Sequence, residues 1–371
     1  MQLSELPTLV ATVLWATFGL ALAFGALSQR THFCTMGAVA DLVTMGDWSR
    51  MRMWVLAMGV AVLGFNGMAA AGWIDAADSV YARPQLIWLS NAAGGALFGF
   101  GMVLASGCSS KMLVRIGGGS LKAMVVFCVL GLASYATLRG LPAVWRVATV
   151  DQVALTLPVT QDLPSLLAHW TGLPRGTAIA AIGGAVGLGL VGWALARPEG
   201  RRVDTLLGGA GIGALVVAGW WVSGRLGHVS EHPGTLERAF LATDTRAMES
   251  FTFVAPIAYT LDWLILYSDA SRHLSIGIVA VVGVVAGSAL ASLAGGRFRW
   301  EGFAGTEDTA NHLVGAVLMG VGGVTAFGCT VGQGLTGVST LSVGSFIALA
   351  GILAGAVGGL RYQGWRMERL A

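Results

Sequence analysis

Three cysteines stand in short polar turns of a chain that is otherwise strongly apolar. Cys108 lies in SGCSSKMLVRIGGGS (106–120), Cys329 in FGCTVGQGLTGVST (327–340) and Cys34 in THFCTMG (31–37). In apolar surroundings a cysteine stays a neutral thiol, which is a weak hydrogen-bond donor and, once deprotonated, a nucleophile. Each turn adjoins an apolar run of membrane length, so the three thiols are candidates for chemistry at membrane depth.

The residues around Cys108 and Cys329 indicate helices that break inside the membrane. Each cysteine follows a glycine and precedes a hydroxyl residue, Ser109 or Thr330, and both residue types are good helix N-caps. A short helix that begins there offers free N–H groups and the positive end of its dipole, which suit an anion. The candidate site residues are Cys34, Cys108 and Cys329, together with Gly107, Ser109, Lys111, Gly328, Thr330 and Gln333.

The composition is that of a multi-pass membrane protein. Only 11% of the 371 residues are charged, 55% are hydrophobic, and the mean hydropathy is +0.73, whereas soluble domains carry about 25% charged residues. The net charge of +3 gives no indication of nucleic-acid binding. The chain has no CxxC, no HExxH and no zinc-spaced His/Cys cluster, so neither a metal nor another cofactor is predicted.

Hydropathy predicts an all-α protein with about nine spans and short re-entrant helices, because a span needs about 20 apolar residues. The segment 251–268 contains Pro256 and Asp262, and we predict that it re-enters or breaks rather than spans. The predicted spans are 8–28, 53–73, 88–106, 120–138, 176–196, 204–224, 273–295, 309–327 and 341–361. Trp220 and Trp221, at the end of one span, are predicted to lie at the membrane interface.

The positions of Lys and Arg predict the orientation of these spans. Basic clusters occur at 46–52, 197–202, 295–299 and 361–370, and basic loops stay on the cytoplasmic side. Nine spans then place the N-terminus outside and the C-terminus in the cytoplasm. The first residues lack a basic n-region and a cleavage site, so no cleaved signal peptide is predicted.

An internal repeat links the two cysteine turns. GGALFGFGMVLASGC (94–108) aligns without a gap to GAVLMGVGGVTAFGC (315–329), and the glycines, Val103/Val324 and the terminal Gly-Cys pair coincide. The predicted spans place Cys108 at an inner end and Cys329 at an outer end, so the motif occurs twice with opposite orientation. Inverted repeats with glycine-interrupted helices are typical of transporters whose site lies between two halves. We predict one membrane transport domain (1–371) with repeat halves at 1–140 and 273–371, joined by 141–272.

The chain resembles the YeeE/YedE family of sulfur-transport membrane proteins. The resemblance rests on THFCTMGAVADLVTMGDW, FGMVLASGCSSKMLVRIGGGSLK, GGRFRWEGF and FGCTVGQGLTGVSTLSVGS, and it covers about residues 15 to 362. It implies an hourglass-shaped transporter of the bacterial inner membrane that takes up thiosulfate or a related sulfur or selenium oxyanion. It also implies that Cys34, Cys108 and Cys329 are the functional cysteines, and that a small cytoplasmic sulfur-carrier protein receives the substrate.

Transport through three thiols is chemically reasonable for such an anion. A charged group is costly inside a bilayer, and a neutral S–H donor can contact a soft sulfur atom without adding negative charge. Several weak sites in series let a substrate leave as well as enter. We expect Cys329 outermost and Cys108 innermost, with Cys34 between them or beside Cys108. Ser109, Thr330 and Gln333 would contact the oxygens, and Lys111 would attract the anion toward the cytoplasm.

Two alternatives use different thiol chemistry. The cysteines could relay sulfur or selenium covalently through a persulfide, which would make the protein a redox carrier or an enzyme. Copper transport ranks third, because the 13 methionines form no cluster beside the cysteines. Cys128 has no counterpart in the cysteine motifs, and we predict that it is a buried apolar residue without a role.

Overall fold

The structure is a computed structural model that describes residues 5–370 and is almost entirely helical, as predicted. The long apolar runs form helices because an α-helix satisfies every backbone polar group within one segment, which a bilayer demands. The α-helices are α1 (Leu6–Thr31), α2 (Thr35–Met45), α3 (Ser49–Ala70), α4 (Trp88–Leu104), α5 (Ser109–Gly117), α6 (Leu121–Arg139), α7 (Leu141–Ala148), α8 (Leu163–Thr171), α9 (Arg175–Leu195), α10 (Val203–Trp221), α11 (Ala255–Ile265), α12 (Ile276–Ala294), α13 (Thr306–Thr325) and α14 (Val343–Leu370).

Among residues 5–370, eight helices or helix pairs are long and apolar enough to cross a membrane. In two of them a long helix continues into a short one, α1 into α2 and α4 into α5. The predicted ninth span, α13, has 20 residues but begins with Thr-Glu-Asp and is less apolar, so the count of nine stays a prediction. Helix α11 has only 11 residues, which is too short for a span and agrees with the predicted break at 251–268.

Short strands join several loops on one face of the helix bundle. They form two antiparallel pairs, β1 with β2 and β3 with β4, at Gln85–Leu86, Leu155–Thr156, His228–Val229 and Ala239–Phe240. A further bridge joins Ser79 to Met248. The loops before α4, after α6 and after α10 therefore lie together. The orientation predicted from charge places all three outside, so we call this the outer face.

The opposite face carries a second set of loop contacts, and we call it the inner face. Arg52 donates to the carbonyl of Trp193 at 2.6 Å, which joins the start of α3 to the end of α9. Lys122 pairs with Glu301 at 2.6 Å, which joins the start of α6 to the loop before α13. These loops contain the basic clusters that the sequence places in the cytoplasm.

Helices α4 and α13 cross in antiparallel directions through paired glycines. The backbone of Gly94 meets that of Gly322, and the backbone of Gly101 meets that of Gly315. The repeat aligns Gly94 with Gly315 and Gly101 with Gly322, so each contact is the counterpart of the other. Small residues allow this close backbone approach. The reciprocal contacts favour the predicted two-fold relation between the halves.

The neighbours of these two helices follow the same relation. Gly99 of α4 packs against the backbone of Ile352 in α14, and its counterpart Gly320 in α13 packs against the backbone of Leu130 in α6. Helix α4, which precedes Cys108, is therefore backed by the helix after the Cys329 turn, and α13, which precedes Cys329, is backed by the helix after the Cys108 turn. The polar turns lie between these helices and not at a lipid surface.

Candidate functional site

The helices before Cys108 and Cys329 end in the same way. Ser106 and Phe327 adopt left-handed backbone conformations with φ of 57° and 63°. The next residue, Gly107 or Gly328, donates its N–H to a carbonyl five residues earlier at 2.8 Å in both cases. This is a Schellman-type helix end. The repeat seen in the sequence is therefore also a repeat of local geometry.

Two of the cysteines begin short helices. Cys34 and Cys108 are the N-caps of α2 and α5, and the Cys34 sulfur accepts from the N–H of Gly37 at 3.4 Å. The Cys329 sulfur accepts from the N–H of Gly332 at 3.3 Å. The prediction that Ser109 and Thr330 are N-caps is wrong. Cys108 caps α5, so Ser109 is the first residue of that helix, and Val331 holds the cap position before the short helical segment Gly332–Gly337.

The fold makes the three cysteine turns successive neighbours, and we call this series of thiols the thiol line. Cys108 has both Cys34 and Thr330 as side-chain neighbours, and Cys329 has Ser109 as a side-chain neighbour. The Cys108 sulfur also lies 3.2 Å from the hydroxyl of Ser110. Cys108 thus neighbours both Cys34 and the Cys329 turn.

Two hydroxyls beside these thiols have no hydrogen bond of good geometry within the described chain. They are Ser109 Oγ and Thr330 Oγ1, and both residues are fully buried. Buried polar atoms are nearly always hydrogen-bonded in folded proteins. Each hydroxyl lies against the thiol of the other cysteine turn without a well-formed hydrogen bond, so both hydroxyls can donate to an anion there.

Positive charge surrounds the inner end of this line. Lys111 lies in the first turn of α5, near Cys34 and Cys108. The guanidinium of Arg50 packs over Gly37, in the first turn of α2, and pairs with Asp41 at 3.1 Å. Cys34 is partly exposed, whereas Cys108 and Cys329 are buried. The positive side chains at the inner end of the thiol line can attract an anion, and the partial exposure of Cys34 allows its release.

The segment after Cys329 is held by hydrogen bonds from three side chains, and the sequence analysis linked neither Tyr81 nor Trp220 to this segment. Tyr81 donates to the carbonyl of Gly332 at 2.7 Å, and Trp220 donates to the hydroxyl of Ser339 at 2.9 Å. Trp220 is completely buried, so its predicted place at the membrane interface is wrong. Gln333 donates its amide to the carbonyl of Ala326, which ties the segment to the end of α13.

A cavity of about 130 Å³ lies beside the Cys329 turn on the outer face, and we call it the acidic cavity. Phe327 and Gly328 line one wall, and Asp244 and Glu249 line another. Burial, reinforced by the charge of Asp244, raises the pKa of Glu249 to about 8. Burial also raises the pKa of Asp244. At neutral pH Glu249 is therefore mainly protonated, so the cavity is less negative than its composition implies.

Cys128 stands apart from the thiol line. It is exposed on α6, so the prediction that it is buried is wrong. Within residues 5–370, no group of three or more His, Cys, Asp or Glu side chains is placed to hold a metal ion.

Comparison with known proteins places these turns in a family. The sequence profile of the sulphur transport family matches residues 30–358, which contain all three cysteine turns. The chain belongs to the sulphur transport family. The resemblance carried by the cysteine motifs is therefore confirmed, and the apolar helices agree with a multi-pass membrane protein.

Several relatives are described as transporters. The chain is 25% identical to the thiosulfate transporter TsuA of Spirochaeta thermophila, over 91% of this chain and 94% of that protein. It is 24% identical to the thiosulfate transporter TsuA of Escherichia coli, over 89% of each chain. A shorter match, 30% identical, covers 25% of this chain and 21% of the probable transporter YedE of Escherichia coli.

Proposed function

We propose that this protein takes up thiosulfate or a closely related sulfur oxyanion across the inner membrane of a bacterium. The observation that carries the proposal is the line of three thiols across the junction of the two halves, flanked by the unused hydroxyls of Ser109 and Thr330. The thiols contact the terminal sulfur of the anion, and the hydroxyls donate to its oxygens. The names of the two TsuA relatives support the choice of substrate.

The proposed path runs from Cys329 through Cys108 to Cys34. Cys108 takes the middle place, because it neighbours Cys34 and the Cys329 turn. This differs from the order expected from the sequence, in which Cys108 was innermost. Lys111 and Arg50 then attract the anion toward the cytoplasm. Gln333 supports the outer turn through its bond to Ala326.

The two halves of the path are proposed to be inverted repeats, 1–140 and 273–371. The reciprocal contacts of α4 with α13 and the identical helix ends before Cys108 and Cys329 support this relation. With the N-terminus outside and the C-terminus in the cytoplasm, the acidic cavity opens to the outside. The thiol line then joins an outer cavity to an inner cationic surface, where a small sulfur-carrier protein is proposed to receive the anion.

A covalent sulfur relay is the second candidate, because the side chains of Cys34 and Cys108 are neighbours. In a relay, a cysteine thiolate attacks the terminal sulfur of thiosulfate, forms a persulfide and releases sulfite. Transport of the intact anion leaves the S–S bond of thiosulfate unbroken. The fate of the two sulfur atoms therefore separates the candidates.

Proteoliposomes provide the test. Thiosulfate with distinguishable isotopes on its two sulfur atoms is added outside, and both isotopes are measured inside. We expect equal amounts of both inside, and neither with the Cys329→Ala protein. Terminal sulfur alone inside, or sulfur bound to a cysteine, would establish the relay instead. If correctly folded wild-type protein admits neither isotope, the proposed uptake of thiosulfate is wrong.

A further inference from the structure

A second cavity, of about 90 Å³, opens beside the Cys329 turn on the outer face. It shares Tyr81 and Phe327 with the acidic cavity as walls. Its other walls come from the loop before α4, from Gln161 and from the start of α14. We call it the arginine cavity, because Arg83 lines it and none of the described residues around it is acidic.

The charge of Arg83 is free to meet an anion. Arg83 is exposed, and its guanidinium lies 5.7 Å from the centre of the Phe327 ring. Within the described chain it forms no ion pair, whereas Arg238 on the same face pairs with Asp78 at 2.6 Å. An arginine presents several N–H groups in a fixed plane, which match two oxygens of a tetrahedral oxyanion.

Two residues that line the arginine cavity carry buried polar atoms with no hydrogen-bond partner in the described chain. Ser345 Oγ and Gln333 Oε1 make no hydrogen bond within the described chain, and the two residues are only 1% and 2% exposed. The Gln333 amide is held in place through its donation to Ala326. Leaving such atoms unsatisfied is costly unless a ligand or water completes them.

The start of α14 adds a favourable field. Ser342 and Gly344 line the cavity at the N-terminal end of this 28-residue helix. The N–H groups of Val343 and Gly344 already donate to Gln161, at 3.0 and 3.1 Å. The helix therefore contributes the positive end of its dipole and not free donors.

We propose that the arginine cavity is an outer binding site for divalent tetrahedral sulfur oxyanions, which it holds before they reach Cys329. This rests on the proposed function and adds a separate recognition step to it. Arg83 donates to two oxygens, and Ser345 donates to a third. Gln333 Oε1 can only accept, so a water between it and the anion completes its hydrogen bonding.

The site has a consequence for selectivity. Its donors contact oxygens and its charge attracts a dianion, but no thiol lines it. Sulfate and thiosulfate share three such oxygens and the same charge, so both bind. Discrimination between them follows at the thiol line, where only thiosulfate presents a terminal sulfur atom.

Equilibrium binding to the full-length protein in detergent tests the site, with radiolabelled sulfate and thiosulfate as probes. We expect both anions to compete for one site. Arg83→Gln should weaken binding of both by about tenfold or more, since a charge-assisted hydrogen bond is lost, and Ser345→Ala should weaken it less. Cys329→Ala should weaken sulfate binding much less than Arg83→Gln does, because sulfate lacks the terminal sulfur atom that the thiols contact. Arg246→Gln removes an exposed arginine from another outer loop and should change binding less than twofold.

The outcomes separate this proposal from the proposed function. Unchanged sulfate binding by a folded Arg83→Gln protein would overturn the site, and so would absence of sulfate binding by the wild type. Loss of sulfate binding in Cys329→Ala would place recognition at the thiols instead. If wild-type proteoliposomes accumulate no thiosulfate while sulfate binding depends on Arg83, the proposed function fails and the site stands.

Discussion

The side chain of Thr330 lies against the thiol of Cys108, and this contact joins the two halves of the chain. Its counterpart joins them again, because Ser109 lies against Cys329. In the repeat, Cys108 corresponds to Cys329 and Ser109 to Thr330. Each half therefore supplies the hydroxyl beside the other half's thiol, and the junction of the halves is the point where sulfur and oxygen donors meet.

The three cysteines should be needed individually, and the fourth should not. Each change of Cys34, Cys108 or Cys329 to Ala removes one S–H donor from a series of weak sites. We expect initial thiosulfate uptake in proteoliposomes to fall to about a tenth of the wild-type rate or less, which corresponds to a barrier raised by about 1.4 kcal/mol. Cys128→Ala is the matched control and should transport normally, because Cys128 is exposed on α6. Uptake that survives in Cys108→Ala would contradict a path through the middle thiol.

The two unused hydroxyls should matter for transport but not for stability. Thr330→Val keeps the side-chain shape and removes a hydroxyl that makes no hydrogen bond of good geometry within the described chain. The melting temperature in detergent should therefore stay within a few degrees of the wild type, while uptake falls several-fold. Ser109→Ala should have the same two effects, because the repeat aligns Ser109 with Thr330 and each hydroxyl lies beside a thiol. A large loss of stability with unchanged uptake would assign these hydroxyls a structural role.

The glycine crossing of α4 and α13 should tolerate no side chain. A Cβ at Gly322 would lie 2.5 Å from the backbone N of Phe98 and 2.6 Å from the carbonyl of Gly94. Gly322→Ala should lower the free energy of unfolding by about 1–3 kcal/mol, the usual effect of overpacking. A control is Gly189→Ala in α9, where a Cβ meets nothing within 4 Å. Thermal melting of both proteins in detergent measures the effect, and equal melting temperatures would exclude close packing at the crossing.

Much of the fold follows from the sequence, because apolar runs of about 20 residues have few options in a bilayer. The predicted span 120–138 is α6 at Leu121–Arg139, and 176–196 is α9 at Arg175–Leu195. Hydropathy identifies α13 less clearly as a span, because the polar residues of its first turn lower the mean hydropathy of the segment. The interface prediction for Trp220 is wrong because a tryptophan at the end of a span can also hydrogen-bond inside the protein, as Trp220 does with Ser339.

The site was predictable only in part. Cysteine turns with glycine breaks can be recognised locally, but contacts such as Cys108 with Thr330 depend on how α4 crosses α13. The assignment of Ser109 as an N-cap failed because a thiol can occupy the cap position too. The residues next to Arg83 in the sequence do not indicate that Arg83 lines a cavity. Its place beside Phe327 depends on the packing of a loop that precedes α4.

Uptake should depend on outer pH through Glu249. Burial and the charge of Asp244 raise its pKa from 4.5 to about 8, so the carboxyl is mainly neutral at pH 7 and gains its charge above pH 8. An ionised Glu249 in the wall opposite Phe327 and Gly328 would repel a divalent anion near the Cys329 turn. Thiosulfate stays divalent over this range, so its own charge does not change.

We therefore expect wild-type uptake to fall several-fold as the outer pH rises from 7 to about 9, with the midpoint near the pKa of Glu249. Glu249→Gln stays neutral, so its uptake should be nearly constant over the same range. The stability of the folded protein should also decrease with rising pH between about 4.5 and 8, because the folded state binds the proton more tightly than the unfolded state. Glu231→Gln, an exposed acidic residue of the same loop that does not line the cavity, is the control and should keep the wild-type profile. An identical pH profile in wild type and Glu249→Gln would show that this carboxyl does not act on the anion.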